Sequence, residues 1–269
     1  MLLVDVERSF QKTSFALGQM CREMYRKNIE VGRIAKVASS LLMAGMAPVS
    51  IPDVIVRRVL AQQKADGGWV GVQETAWCTK LLSYFNLEEV NGALTWLDRQ
   101  QVEENGWGRS GRDMGRIPVT GSLLYLFPQL GAQASLQWLE RKWLQEQGSL
   151  TYKAAYTLLA FDSCKYEPEK ADLIQETVNW LLSQQEKDGG FAPWYGHPVG
   201  SNVLCTALSI LGLMSYSVYI PEREPIQTAV AYILRTQMPG GLWPFHQLDD
   251  GAVWGLLALK KYYLYMESL

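Results

Sequence analysis

Several things are scarce in this chain, and each scarcity excludes something. Charged residues make up 19% of its 269 positions, against a usual share of roughly 25%, which argues against a solvated coiled coil or a disordered segment. The 25 basic and 27 acidic residues leave a net charge of −2, so the basic surplus that a nucleic-acid surface needs is missing and no nucleic-acid partner is expected. There are two histidines and four cysteines. Cys21, Cys78, Cys164 and Cys205 are widely spaced with no C-x-x-C pair, which supplies neither a disulfide framework nor a zinc site. They read as reduced thiols of a cytoplasmic protein, and no metal is expected. Long apolar runs are absent too. Asp5, Glu7 and Arg8 interrupt the first one, so no signal peptide is read there. Val199 to Tyr219 is broken by Ser, Asn, Thr and Gly and falls short of the ~20 apolar residues of a membrane span.

What the chain has is hydrophobic bulk, at 48%, and ten tryptophans. Several of these recur in a repeated segment. Gln62-Gln63-Lys64-Ala65-Asp66-Gly67-Gly68-Trp69 resembles Gln184-Gln185-Glu186-Lys187-Asp188-Gly189-Gly190-Phe191 and Gln237-Met238-Pro239-Gly240-Gly241-Leu242-Trp243. Gln100-Gln101-Val102-Glu103-Glu104-Asn105-Gly106-Trp107 is a weaker fourth copy. Asp-Gly, Asn-Gly and Gly-Gly supply the positive φ that stops a helix. The aromatic just beyond can fold back on a helix pair, and the Gln side chains can bond carbonyls left free at the helix end.

Apolar periodicity predicts twelve helices around these turns. The first members of each pair run near 5–28, 51–64, 88–101, 132–146, 168–185 and 223–237. The second members run near 31–46, 73–86, 118–129, 151–163, 200–215 and 249–266. The first set is amphipathic. The second is apolar on most sides, as in Val203-Leu204-Cys205-Thr206-Ala207-Leu208, and is therefore expected to be buried on most sides. Six inner helices within six outer ones make an all-α, single (α/α)6 toroid, read as one domain over residues 1–269. An open superhelix of stacked pairs also fits the periodicity.

The repeats resemble the glutamine–tryptophan repeats of the squalene–hopene cyclase and class II terpene cyclase superfamily, which shares its toroid with protein prenyltransferase β-subunits. Glu74-Thr75-Ala76-Trp77, after Trp69, continues that pattern. The segment Gln247-Leu248-Asp249-Asp250-Gly251-Ala252-Val253-Trp254, ending in Leu257-Ala258-Leu259, resembles the family's D-x-D-D-T-A acid segment. Gln247 stands where that pattern has its first Asp, and Gly251 where it has Thr. The resemblance implies a proton donor at Asp249, beside Asp250. No Asp-Asp-x-x-Asp motif of metal-dependent diphosphate ionisation is present, and no cofactor is expected.

The chemistry sets its own demands. A carboxylic acid that protonates an alkene must be buried and kept protonated, and its conjugate base must be stabilised. Asp249 and Asp250 open the sixth inner helix, at its positive end, and His246 and Gln247 are placed to tune them. A helix-start Asp is also an ordinary N-cap. Aromatic faces stabilise a carbocation without adding to it. Trp77, Tyr125, Tyr156 and Trp254, on inner helices and expected to converge on one end of the toroid, are the candidate walls. Trp194 and Tyr195, in the long loop from Phe191 to Gly200, are further candidates for the lining. Arg109, Arg112 and Arg116, interspersed with glycines, form a candidate diphosphate grip; otherwise they belong to a solvated loop.

The leading reading is a metal-independent, protonation-initiated terpenoid cyclase acting on a polyprenyl or prenylated small molecule. The alternative is a noncatalytic toroid that binds a hydrophobic ligand or a protein partner. A carbohydrate-active toroid, suggested by paired carboxylates and many Trp, ranks last. The resemblance implies a cavity usually shared between two toroids, so one toroid needs either a self-contained cavity or a homodimer. Val218-Tyr219-Ile220-Pro221 is the loop that would touch a membrane surface transiently.

Overall fold

The computed structural model describes residues 2–102 and 105–267; Glu103 and Glu104 of the weaker repeat lie outside the described residues. Twelve α-helices occupy the described residues, and the only β-pairings there are two isolated bridges, Gln101 with Trp107 and Gln185 with Phe191. The outer helices are α1 (Leu2–Arg26), α3 (Asp53–Ala61), α5 (Glu89–Arg99), α7 (Gln133–Glu146), α9 (Leu173–Ser183) and α11 (Glu224–Thr236). The inner helices are α2 (Val31–Met43), α4 (Val72–Ser83), α6 (Ile117–Leu126), α8 (Thr151–Cys164), α10 (Val203–Ser215) and α12 (Leu248–Glu267). Each inner helix packs on the next, and α12 packs back on α2, closing the ring; α1 packs on both α2 and α12 and touches α11, closing the outer layer. The architecture is the expected toroid rather than an open superhelix. No helix among the described residues is long and apolar enough to cross a membrane.

The inner helices are buried nearly all round because they have neighbours on both sides and an outer helix behind. In α10 every residue from Cys205 to Met214 is buried. The outer helices bury one stripe each; in α5 only Ala93 and Leu97 are fully covered. The helix expected to start near residue 168 starts only at Leu173, five residues later. Glu140 accepts hydrogen bonds from the Tyr166 hydroxyl (2.7 Å) and from the backbone N–H groups of Glu169 and Lys170 (both 3.0 Å), which holds 166–170 in an irregular turn. Cys21, Cys78 and Cys205 are buried free thiols and Cys164 is half-buried; burial pushes the Cys21 thiol up to about 12.

The repeated turns explain the tryptophans. Trp69, Trp107, Phe191 and Trp243 are all fully buried. The three indole N–H groups donate to carbonyls ten residues back in the outer helix: Trp69 to Val59 (2.9 Å), Trp107 to Leu97 (2.7 Å) and Trp243 to Ile233 (2.7 Å). The backbone N–H groups of residues 69, 107 and 191 donate to Thr75, Thr120 and Thr206 of the following inner helix. So Trp69 and Trp107 each tie together both helices of their own pair, while Phe191 is bonded to the inner helix and Trp243 to the outer one. The glutamines reach further than the free helix-end carbonyls expected of them. Gln63 Nε2 donates to the turn carbonyl of Gly67 (2.8 Å) and to Glu89 at the start of α5 (3.2 Å). Gln185 joins Gly189 to Pro225, both at 2.8 Å, and Gln237 joins Gly241 to Ser9 of α1. The glutamines therefore link one pair to the next. Gly67 and Gly189 sit at φ +94° and +81°, where a side chain is strained.

Candidate functional site

The six inner helices run in the same direction, so their N-terminal ends converge on one mouth of the ring. A cavity of about 520 Å³ opens there, lined by Glu30, Arg33 and Lys36 of the first inner helix and its cap, Gln73, Glu74 and Trp77 of α4, Ser122, Tyr156 and Leu204, and Gln247, Asp250 and Trp254 at the start of α12. Six helix dipoles point their positive ends at this space.

Asp249 and Asp250 lie in the first turn of α12, but neither side chain caps the helix. Asp249 is almost fully buried, with 1% of its surface exposed. Its carboxylate is held from α2, by Arg33 at Oδ1 and by Lys36 Nζ at Oδ2 (2.7 Å). Lys36 also contacts Asp250 Oδ1. Burial on its own raises the Asp249 carboxyl; the Arg33 hydrogen bond and the Lys36 charge outweigh it and hold the group below the usual carboxylate range. Asp249 is thus an ionised, fully engaged carboxylate, whereas Asp250 is half-buried and faces the cavity. The carboxylates take their hydrogen bonds from α2 and not from the expected tuners. His246 is exposed, lies tilted against Phe245 (centroids 4.4 Å apart) and lines a separate cavity of about 320 Å³. Gln247 is on the rim of the main cavity, and its backbone carbonyl accepts from the Asp250 N–H (3.0 Å).

Gly251, which replaces the family's Thr, has a steric reason. A Cβ there would lie 2.5 Å from Val203 Cγ1 of α10, so α10 and α12 pack too closely for any side chain.

Of the expected aromatic walls, Trp77, Tyr156 and Trp254 line the cavity. Trp254 sits at its floor, meeting Trp77 edge-on at 6.2 Å and Tyr156 edge-on at 5.5 Å. Burial and the nearby Asp250 charge push the Tyr156 hydroxyl up. Tyr125 does not share this end. It falls in the last turn of α6, beneath Trp254 at 6.0 Å, so it supports the floor and does not line the space. Trp194 and Tyr195 are 44% and 51% exposed. Their loop is anchored to the start of α8 through the Ala192 and Pro193 carbonyls, which accept from Thr151, and this puts both rings outside the cavity lining. The three arginines of the 109–116 loop are exposed and none reaches the cavity wall. Arg116 is occupied by Asp113 (2.8 and 3.0 Å). They do not form one cradle.

Arg33 and Lys36 are the residues that the sequence reading missed. A signal existed: Arg33 and Lys36 place two cations on an inner helix expected to be buried on most sides, and a buried cation requires a carboxylate.

No family model matches the chain. Over 102 residues it is 31% identical to lanosterol synthase of Pneumocystis carinii, a match covering 35% of this chain and 14% of that enzyme. Over 111 residues it is 24% identical to protostadienol synthase A of Arthroderma gypseum, covering 38% and 15%. The chain thus matches about a seventh of the length of these curated relatives. Among solved structures, type II terpene cyclase MstE from Scytonema, as a variant in complex with geranylgeranyl dihydroxybenzoate (substrate), superposes with a TM-score of 0.75 at 14% identity, over 98% of this chain and 99% of that one. A protein from Actinoplanes superposes at 0.64 with 14% identity, over 86% and 90%. The chain is therefore related to the terpenoid cyclases, in sequence over about a third of its length and in fold over nearly all of it.

Proposed function

We propose that this protein is a protonation-initiated (class II) terpenoid cyclase, that its substrate is a polyprenyl or prenylated molecule without a diphosphate, and that Asp250 delivers the proton. The observation that carries this reading is one carboxyl group, next to a fixed anionic neighbour, facing a cavity floored and walled by Trp254, Trp77 and Tyr156.

Asp249, first in line for the role by its place in the motif, has both oxygens occupied and is held ionised. It has no proton to give at neutral pH. Asp250 is the member of the pair in reach of substrate. Arg33, Lys36, Asp249 and Asp250 form a group whose charges cancel when both carboxylates are ionised. Protonating Asp250 leaves that group with one positive charge, and giving the proton up returns it to neutrality. On transfer, the Asp250 O–H bond breaks, the alkene π pair forms a C–H bond, and the new carboxylate returns to contact with Lys36. The cation that results lies among aromatic faces, which stabilise it and do not add to it.

Charge also bears on the head group. Glu30, Glu74, Asp249 and Asp250 outnumber Arg33 and Lys36 around the cavity, so a diphosphate would meet a surplus of carboxylates. The substrate named for the MstE complex, geranylgeranyl dihydroxybenzoate, carries no diphosphate and is the first compound to try; squalene is the second.

The test is turnover in heavy water. Wild type is expected to give a cyclised product carrying one added deuterium, and Asp250→Asn to lower the rate by about 10²–10⁴-fold, the contribution of a general acid, with the far-UV circular dichroism retained. Cyclisation by Asp250→Asn at the wild-type rate would remove Asp250 from the role. Tight binding by wild type of both compounds without turnover would favour the binding-toroid reading.

A further inference from the structure

We infer that Glu74 is the base that ends the reaction, an assignment that rests on the cyclase reading above. Each ring closure moves the positive charge along the chain, away from the carbon first protonated. The carbon that finally loses a proton therefore lies some distance from Asp250, whose carboxylate is in any case engaged with Lys36. An olefinic product needs a second, unengaged base on the same wall. Three carboxylates line the cavity: Glu30, Glu74 and Asp250. Glu30 is exposed at the rim. Glu74 is half-buried, and no Lys, Arg or His of the described residues lies in ion-pair contact with it.

The fold makes room for this side chain. A Cβ at Gly32 would stand 2.7 Å from Glu74 Cγ, and a Cβ at Gly71 would stand 2.9 Å from its Oε2. A side chain at either position would displace the carboxylate, so α2 and the entry to α4 leave a slot that Glu74 fills. One turn on, Trp77 meets Trp254 edge-on. The carboxylate thus shares the cavity wall with the aromatic rings that would hold the last cation and has no ion-pair partner among the described residues. In the step itself, a C–H bond next to the cationic carbon breaks. Its electron pair becomes the new C=C bond, and the proton goes to an oxygen of Glu74. Solvent returns that proton to Asp250 once product leaves, so the overall reaction is an isomerisation.

Glu74 also occupies the third position of α4, where a Glu can serve the helix start. Glutamine keeps the shape and the hydrogen-bonding capacity there while losing basicity. With geranylgeranyl dihydroxybenzoate as the probe, wild type is expected to release mainly one olefin. Glu74→Gln is expected to consume substrate more slowly, still with one deuterium incorporated from heavy water, and to shift the ratio of olefin to water-trapped alcohol and olefin isomers by tenfold or more. Glu74→Asp should restore part of the original ratio. An unchanged product ratio in Glu74→Gln overturns the assignment, and so does a Glu74→Ala variant that melts at a lower temperature with the wild-type products. If wild type makes no cyclised product, the cyclase reading fails and this inference with it. If wild type cyclises and only the product ratio is indifferent to residue 74, this inference alone fails.

Discussion

Two concentric circles surround the mouth of the ring, and they use the same kinds of residue to opposite ends. In the outer circle Trp69, Trp107 and Trp243 are sealed, each indole N–H bound to a backbone carbonyl ten residues earlier. In the inner circle Trp77 and Trp254 are placed by ring-to-ring contact and turn their faces to the cavity. The outer Gln63, Gln185 and Gln237 are bound to backbone on two sides; the inner Gln73 and Gln247 lie on the cavity wall. What separates structure from chemistry here is the partner. A group whose donors and acceptors are matched by backbone holds the fold, and a group left facing space is available to a ligand.

The largest stability difference between the circles should come from their tryptophans. Trp243→Ala removes a fully buried indole and its hydrogen bond to the Ile233 carbonyl and opens a void between α11 and α12; about 3–5 kcal/mol of stability should be lost. Trp77 is itself largely buried, at 9% exposure, but borders the cavity, so Trp77→Ala leaves no sealed void and should cost less than Trp243→Ala, while changing which products form. Denaturant titration of both variants checks this. Equal losses would mean that the two circles do not differ in the way described.

The outer circle was legible in the sequence because its information is local. The stop glycines, the aromatic and the Gln lie within eight residues, and the helices on either side show their own periodicity. Helix ends came out within a few residues where a turn signal marked them, as at α3 and α12, and failed at α9, where Glu140 from the preceding outer helix holds the segment. The inner circle was half legible. Trp77, Tyr156 and Trp254 were found by position on inner helices, and the Asp249–Asp250 pair by the resemblance of its segment to the D-x-D-D-T-A pattern. Their division of labour was not, because it depends on Arg33 and Lys36, more than 210 residues away in sequence and adjacent only once α12 closes on α2. Periodicity says that a helix is inner; it does not say which way a single charged side chain on that helix turns.

That long-range pairing gives the next effect in size. The alternative sequence reading of Asp249, beside that of proton donor, is a cap, and a cap tolerates Asn at little cost. As an ion-paired carboxylate it should not: Asp249→Asn should lose about 2 kcal/mol at neutral pH, the scale of a hydrogen bond to a charged group. The pH dependence carries the sign. The Asp249 carboxyl is held below its usual range in the folded protein, and in the unfolded chain it should titrate at about 3.9. Its contribution is therefore fully present above about pH 5 and is lost as pH falls through the unfolded value and then the lower folded one. The stability gap between wild type and Asp249→Asn should be level from about pH 8 to about pH 5 and should narrow below about pH 4. A gap that widens toward acid would mean that Asp249 is protonated in the folded state, and would return it to candidacy as the proton donor.

The smallest effect tests the outer circle alone. Gln185 Nε2 bonds Gly189 in its own turn, Pro225 in the next outer helix and the Thr228 hydroxyl. Gln185→Ala removes those bonds but leaves the acceptors close enough to the surface to recruit water, so the loss should be about 1 kcal/mol. Because the bonds span two helix pairs, the loss should appear as faster hydrogen exchange at both ends, in the 186–190 turn and in the first turn of α11, with the mouth cavity and its chemistry unaffected. If exchange quickens only in the turn, the glutamine serves its own helix pair, as the sequence alone suggested, and the claim that these side chains stitch consecutive pairs into a closed ring is wrong.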